Sequence, residues 1–121
     1  MEVNLIVIRS DKPKELSSFY TMLGLTFRFH QHGNGPWHYA TEIGNIVFEI
    51  YPLLKTQLAP DISTRLGFVV NNLESTIEKL KASNITVLQE PKESEFGYFA
   101  VIKDLDWRKI ELKENNEYQR T

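Results

Sequence analysis

An internal repeat constrains the fold of this chain more than any other feature. Each half shows the order strand, helix, strand, strand, strand, with the helices in DKPKELSSFYTMLG and LESTIEKLKASN. Apolar residues recur at helical spacing in both helices, and the flanking runs alternate as strands do. Asp11 and Phe19 match Asn72 and Leu80, both at an offset of 61 positions. The repeat predicts two similar modules related by a pseudo-twofold axis.

The chain of 121 residues is predicted to form one domain, 1–121, from these two modules. Module one covers about residues 3–53 and module two about residues 64–113. A linker of about residues 54–63 joins them, and Pro60 interrupts any helix there. The remaining residues, 114–121, form a polar tail that we expect to be frayed. The predicted fold class is α+β, with two βαβββ modules.

One glutamate interrupts the last strand of each module. Glu49 lies in VFEIY and Glu111 in KIELK. A charge within an apolar strand is costly unless it is paired, bound to a ligand or directed into a wet pocket. The repeated glutamate therefore predicts a site that was duplicated with the module.

Strand alternation divides the side chains between two faces of each sheet. We expect the helices to cover Leu5 and Val7 of the first strand together with Phe48 and Ile50. The opposite face then forms a concave pocket for a small molecule. Its predicted lining residues are Asn4, Arg28, His30, His38, Glu49, Tyr51, Arg65 and Glu111.

The chain resembles the vicinal oxygen chelate superfamily, which includes glyoxalase I, extradiol dioxygenases and bleomycin resistance proteins. The similar segments are IRSDKPKELSSFYTMLGL, FVVNNLESTIEKLKASNI, VFEIYP and DLDWRKIELKE, and the likeness covers about residues 3 to 113. The resemblance implies two βαβββ modules that form paired cupped sheets. It indicates the reaction poorly, because this scaffold hosts many chemistries.

The resemblance also implies a set of metal-binding positions. Members of the glyoxalase type hold a divalent ion with a histidine or similar ligand from the first strand of each module and a glutamate from the last. In this chain those positions are Asn4, Glu49, Arg65 and Glu111. An arginine only donates hydrogen bonds and cannot ligate a metal. We therefore expect no cofactor and no metal at these positions.

The replacement suggests a role for Arg65. A guanidinium can bridge two carboxylates that would otherwise repel each other. Arg65 is predicted to occupy the metal position, paired with Glu49, Glu111 or both.

Three histidines, His30, His32 and His38, lie close together in the sequence, near a GNGP turn. Imidazoles are common transition-metal ligands and can act as bases near neutral pH. One interpretation is a divalent metal held at a displaced site by His38, Glu49 and Glu111. The other is that these histidines line the pocket or a solvated hairpin end.

Composition limits the partners. A net charge of -2 gives no electrostatic case for binding nucleic acid. No apolar run approaches the roughly 20 residues of a membrane span, and the N-terminus does not have the pattern of a signal peptide. We expect a cytoplasmic protein that contacts no membrane. By resemblance, it is expected to form a homodimer.

Three functions remain open from the sequence. The leading prediction is a metal-independent protein that binds a small molecule, similar to bleomycin resistance proteins. The second is a metal-dependent lyase, isomerase or dioxygenase with its site around His38 and Glu49. The third is a non-catalytic dimeric interaction module.

Overall fold

Two similar units make up the chain in the computed structural model, which describes residues 1–118. The first unit is Met1–Asp61 and the second begins at Ile62. The first contains β1 (Leu5–Ser10), α1 (Pro13–Thr21), β2 (Arg28–His30), β3 (His38–Ile43) and β4 (Ile46–Pro52). The second contains β5 (Leu66–Val70), α2 (Leu73–Ala82), β6 (Val87–Ser94), β7 (Gly97–Lys103) and β8 (Lys109–Glu114). The predicted βαβββ order is confirmed in both units.

Each unit forms one four-stranded sheet with the same topology. The strand orders are β1-β4-β3-β2 and β5-β8-β7-β6. The last three strands of each unit run as an antiparallel meander, whereas β1 pairs parallel to β4 and β5 pairs parallel to β8. The final strand of each unit, which carries the interrupting glutamate, is therefore an interior strand of its sheet.

An amphipathic helix covers one face of each sheet. Pro13 begins α1, where its missing N–H has no partner to lose, and Asn72 caps α2 by accepting a hydrogen bond from the Ser75 N–H. Both helices bury their apolar stripes completely. In the first unit Leu16, Phe19 and Tyr20 pack with Phe48 and Ile50; in the second, Leu73, Ile77 and Leu80 pack with Ile102, Ile110 and Leu112.

The first strand faces the opposite way from the prediction. Val7 is paired with Glu49, and Ile8 with Ile50, so Leu5 and Val7 share the Glu49 face while Ile8 points to the helix. Exposure agrees, since Val7 is 40% exposed and Ile8 only 5%. Every position of LIVI is apolar, so alternation alone could not predict which side chains face the helix. The pairing register with β4 determines it.

The polar C-terminal segment is tied to the second unit as far as the structure describes it. Glu114 belongs to β8, is buried, and accepts a hydrogen bond from the Leu73 N–H at the start of α2. The Asn72 amide donates to the Tyr118 hydroxyl. The expectation of a frayed tail is therefore wrong for residues 114–118, because helix-end donors find partners there. Residues 119–121 lie outside the described part.

Within residues 1–118, no helix has both the length and the apolar character needed to cross a membrane. The predicted cellular location remains a prediction.

Candidate metal centre

One face of the first sheet gathers the polar side chains of β2, β3 and β4. Arg28 lies opposite Ala40, which in turn lies opposite Glu49, so these three residues share a face. His30 lies opposite His38 on the same face. The alternation of Arg28, His30 and His32 predicted this arrangement, and the structure confirms it for the two residues within β2.

His38 is fully buried and held in one orientation. Its Nδ1 lies 3.0 Å from the Pro36 carbonyl oxygen. A carbonyl only accepts, so Nδ1–H donates to it and the ring presents Nε2 to the site. The Tyr51 ring stacks on the imidazole at 4.0 Å and 10°. Backbone and ring together fix the tautomer and the direction of His38.

The contact between His38 and Glu49 needs a positive species. His38 Nε2 lies 3.1 Å from Glu49 Oε2, and both residues are buried. With the proton on Nδ1, Nε2 of a neutral ring carries only a lone pair, and a carboxylate oxygen only accepts. A proton or a metal ion must therefore lie between the two atoms. A buried carboxylate without such compensation would be costly.

Two further imidazoles converge on the same carboxylate oxygen. Nε2 of His30 and Nε2 of His32 each lie 3.9 Å from Glu49 Oε2. The ring centroids of the three histidines lie 4.4 to 4.9 Å apart. His30 Nε2 is buried and has no hydrogen-bond partner within residues 1–118. A buried nitrogen without a partner is unusual in a native structure and is satisfied by an ordered water, a ligand or an ion.

The surroundings favour the neutral form of His30. Desolvation of the ring, followed by the charges of His38 and His32, lowers the pKa of His30 below its ordinary value; Glu49 acts in the opposite direction. A neutral imidazole has a free lone pair and can bind a metal, whereas an imidazolium cannot.

The four side chains meet the requirements of a transition-metal site. One ligand atom from each of His30, His32, His38 and Glu49 lies within 4.8 Å of the others. Bonds of about 2.1 Å to a tetrahedral ion place neighbouring ligand atoms roughly 3.4 Å apart. The contacts of 3.1 and 3.9 Å lie on either side of that spacing. Three imidazoles and one carboxylate suit zinc, iron, nickel or copper better than magnesium or calcium.

The turn between β2 and β3 positions two parts of this centre. The Gly35 N–H donates to the His32 carbonyl at 2.9 Å, which closes the turn directly after His32. Gly33 has a φ of 56°, a left-handed conformation that glycine adopts at little cost. The chain then reaches Pro36, whose carbonyl orients His38. A short turn therefore carries one ligand and orients another.

A cavity of about 400 Å³ adjoins the centre. Its volume falls in the range of small-molecule sites. The lining is mixed, with apolar β-strand residues beside charged ones. It consists of Asn4, Leu5, Arg28, His30, His32, Ala40, Thr41, Glu42, Val47 and Glu49.

Tyr51 supports the centre, although it was predicted to line the pocket. It does not line this cavity, and its half-buried ring lies between His38 and the Arg9 guanidinium, which is 5.0 Å from the ring centroid. Desolvation, followed by the charge of Glu49, raises the pKa of the Tyr51 phenol. The hydroxyl is therefore neutral at ordinary pH.

Arg65 and Glu111 belong to the second unit. Gly67 is paired with Glu111, and Arg65 directly precedes β5. Both side chains are exposed, and within the described residues no ion pair joins Arg65 to Glu111. The group of side chains within residues 1–118 that could hold a metal ion does not include Glu111. The predicted pairing of Arg65 with Glu49 remains a prediction.

His32 is the one member of the centre that the predicted pocket omitted. It follows β2 and its side chain is 69% exposed. The signal was present in the sequence, since His30 and His32 are two positions apart and so share a facing. The sequence did not show that the chain at the turn after β2 brings the His32 side chain towards Glu49.

Comparisons with known proteins show the fold. No known family model and no curated protein matches the chain. A hypothetical protein, SA1046 from S. aureus, has 18% identity and a TM-score of 0.72, covering 95% of this chain and 97% of its own. The oxidase ChaP-H2 has 14% identity and a TM-score of 0.75, with coverage of 95% and 94%. A lactoylglutathione lyase from Agrobacterium tumefaciens has 12% identity and a TM-score of 0.66, with coverage of 94% and 93%.

These likenesses and the two βαβββ units confirm the vicinal oxygen chelate fold that the resemblance implied. At such low identity they establish the fold alone.

Proposed function

We propose that this vicinal oxygen chelate fold carries a divalent transition-metal ion on His30, His32, His38 and Glu49 and uses it to bind and activate a small molecule. The observation that carries the proposal is the convergence of three imidazoles on one buried carboxylate oxygen. The side chains come from β2, β3, β4 and the turn after β2, all within the first unit.

The centre fits a metal better than the positions implied by the family resemblance. That set includes Arg65, which cannot ligate, and Asn4, which offers at most a weak carbonyl oxygen. The histidine centre instead supplies four donors and already orients His38 through a backbone carbonyl, an arrangement usual for metal-bound histidines.

A metal at this position would serve as a Lewis acid for an oxygen of the bound molecule. Four protein donors would leave room for a ligand on an ion that takes five or six ligands, whereas an ion limited to four ligands would have no open position. The adjoining cavity gives a ligand access to His30, His32 and Glu49. This arrangement favours a metal-dependent enzyme, of the lyase, isomerase or dioxygenase kind, over metal-free binding.

The duplicated glutamates provide the test. Protein made without a histidine tag is dialysed against EDTA and then titrated calorimetrically with Zn²⁺ and Co²⁺. We expect one ion per chain in the parent protein and in Glu111→Gln, because Glu111 lies outside the centre. We expect Glu49→Gln to weaken binding at least tenfold, since it removes the carboxylate on which the three imidazoles converge.

Three results would contradict the proposal. One is the absence of stoichiometric binding by the parent protein, which would favour the metal-free function predicted from the sequence. Another is equal weakening by Glu111→Gln and Glu49→Gln, which would place the ion at the positions implied by the family. The third is unchanged binding by Glu49→Gln.

A further inference from the structure

Arg28 is the cation of the cavity, and no carboxylate of residues 1–118 forms an ion pair with it. The residue lies on β2, is exposed, and lines the cavity beside His30 and Glu42. Within residues 1–118 no ion pair involves Arg28, although Glu42 lines the same space. A guanidinium presents five donors in a fixed fork that matches carboxylate and phosphate oxygens.

A metal ion raises the charge around this cavity. With neutral histidines, the lining carries one positive charge, on Arg28, and two negative charges, on Glu42 and Glu49. The proton that lies between His38 and Glu49 when no metal is bound brings this balance to zero. A divalent ion in place of that proton leaves one net positive charge, so the cavity attracts anions more strongly with the metal than without it.

The sheet places Arg28 and the metal centre along one row of paired residues. Arg28, Ala40 and Glu49 are opposite one another on three adjacent strands. Strands lie about 4.8 Å apart, so the backbones of Arg28 and Glu49 are separated by roughly 10 Å. The residue between them is Ala40, which is 3% exposed and lines the cavity. Its methyl side chain is small and takes up little of the space above the strand. The guanidinium and the candidate metal centre therefore belong to one short stretch of the cavity lining.

We propose that the cavity binds a small carboxylate. One oxygen of this ligand binds the metal, and the negative charge of the ligand pairs with the Arg28 guanidinium. This inference rests on the metal centre proposed above. The guanidinium selects the charge of the ligand, the metal supplies the site for its donor oxygen, and Glu42 disfavours ligands with several negative charges.

Cobalt-loaded protein gives a direct test, because the visible absorption bands of Co²⁺ change when a ligand oxygen enters its coordination shell. The probe is glycolate, and the matched neutral probe is glycolamide. The parent protein is compared with Arg28→Gln, Arg28→Lys and Lys14→Gln. Lys14 is an exposed cation on α1 outside the cavity lining, so its substitution controls for net charge alone.

We expect glycolate to shift the cobalt bands in the parent protein and in Lys14→Gln with the same Kd. Arg28→Gln should weaken glycolate at least tenfold, as expected for loss of a charged hydrogen bond. It should not weaken Co²⁺ binding, because it removes a positive charge close to the ion. Arg28→Lys should retain part of the affinity, and glycolamide should bind more weakly than glycolate.

Cobalt loading without a band shift by glycolate would overturn this inference alone, as would equal binding by parent and Arg28→Gln or equal binding of the two probes. Failure of the parent protein to take up Co²⁺ is a different result, because it removes the proposed function and the inference with it. Glycolate binding of equal strength to EDTA-treated protein, measured by calorimetry because that protein has no cobalt bands, would also overturn the inference, since the metal would then play no part.

Discussion

Glu49 is the residue around which the candidate site is organised. It is 7% exposed, yet three imidazole nitrogens approach one of its oxygens. Carboxylates of this kind are stabilised only when a positive species compensates for lost hydration. Its counterpart Glu111 is exposed in the second unit, next to Gly67. The same residue type therefore meets two different environments in the two copies of one module.

Tyr51 is expected to act through its ring rather than its hydroxyl. The ring stacks on His38, so Tyr51→Leu should loosen the imidazole and weaken Co²⁺ binding by about tenfold. Tyr51→Phe keeps the ring and should bind Co²⁺ with nearly the parent Kd. Calorimetric titration of both variants is the measurement. Equal weakening in the two would show that the hydroxyl carries the effect.

At the scale of elements, the hairpin of β2 and β3 supplies the three histidines, and β4 supplies the carboxylate. Antiparallel pairing brings His30 opposite His38, and the turn between the strands brings back His32. The metal centre depends on this turn as much as on the strands, because the Pro36 carbonyl sets the direction of His38.

Gly33 is expected to be sensitive to backbone strain alone. A Cβ at this position would meet nothing within 4 Å, but the φ of 56° disfavours a branched side chain. Gly33→Val should destabilise the protein by about 1–2 kcal/mol and weaken metal binding, whereas Gly33→Asn should cost much less. Urea unfolding and Co²⁺ titration measure both effects. Equal losses in the two variants would argue against the strain explanation.

The sequence predicted the elements well because their signals are local. Helical spacing and strand alternation identified α1, α2 and the three-strand meanders, and alternation placed Arg28 and His30 on one face. It could not orient β1, where LIVI has no polar residue and the pairing with β4 decides. Nor could it predict the tautomer of His38, which depends on a carbonyl two residues away.

The whole molecule uses a duplicated fold unequally. All three histidines of the chain lie in the first unit. The second unit retains the sheet order and the glutamate but has no imidazole to complete an equivalent site. The expected homodimer and cytoplasmic location remain predictions, as do the absence of nucleic acid and the alternative role as an interaction module.

Metal binding is expected to stabilise the folded protein by mass action. At a free Zn²⁺ concentration of about 100 times the Kd, the gain is roughly 2.7 kcal/mol, or a rise in Tm of the order of 10 °C. Differential scanning calorimetry of parent, Glu49→Gln and Glu111→Gln measures it. At that Zn²⁺ concentration Glu49→Gln, with binding at least tenfold weaker, should keep at most about half of the rise. Glu111→Gln should keep all of it, and loss of the rise in Glu111→Gln would contradict the assignment.

This stabilisation should disappear as the pH falls. Protons compete with the metal for the imidazoles, so the rise in Tm is full where the histidines are neutral and is lost as they become charged. The lowered pKa of His30 keeps that ligand available to a lower pH than an ordinary histidine would be. A rise in Tm that grew on acidification would contradict metal binding through imidazole.

All the donors of the candidate centre lie between residues 30 and 49. A site made of such closely spaced residues has a low contact order and a small loop-closure entropy. We therefore expect its geometry to form once β4 pairs with the β2–β3 hairpin, without the second unit. A metal ion that binds at this stage would stabilise the first unit before the second unit has been translated.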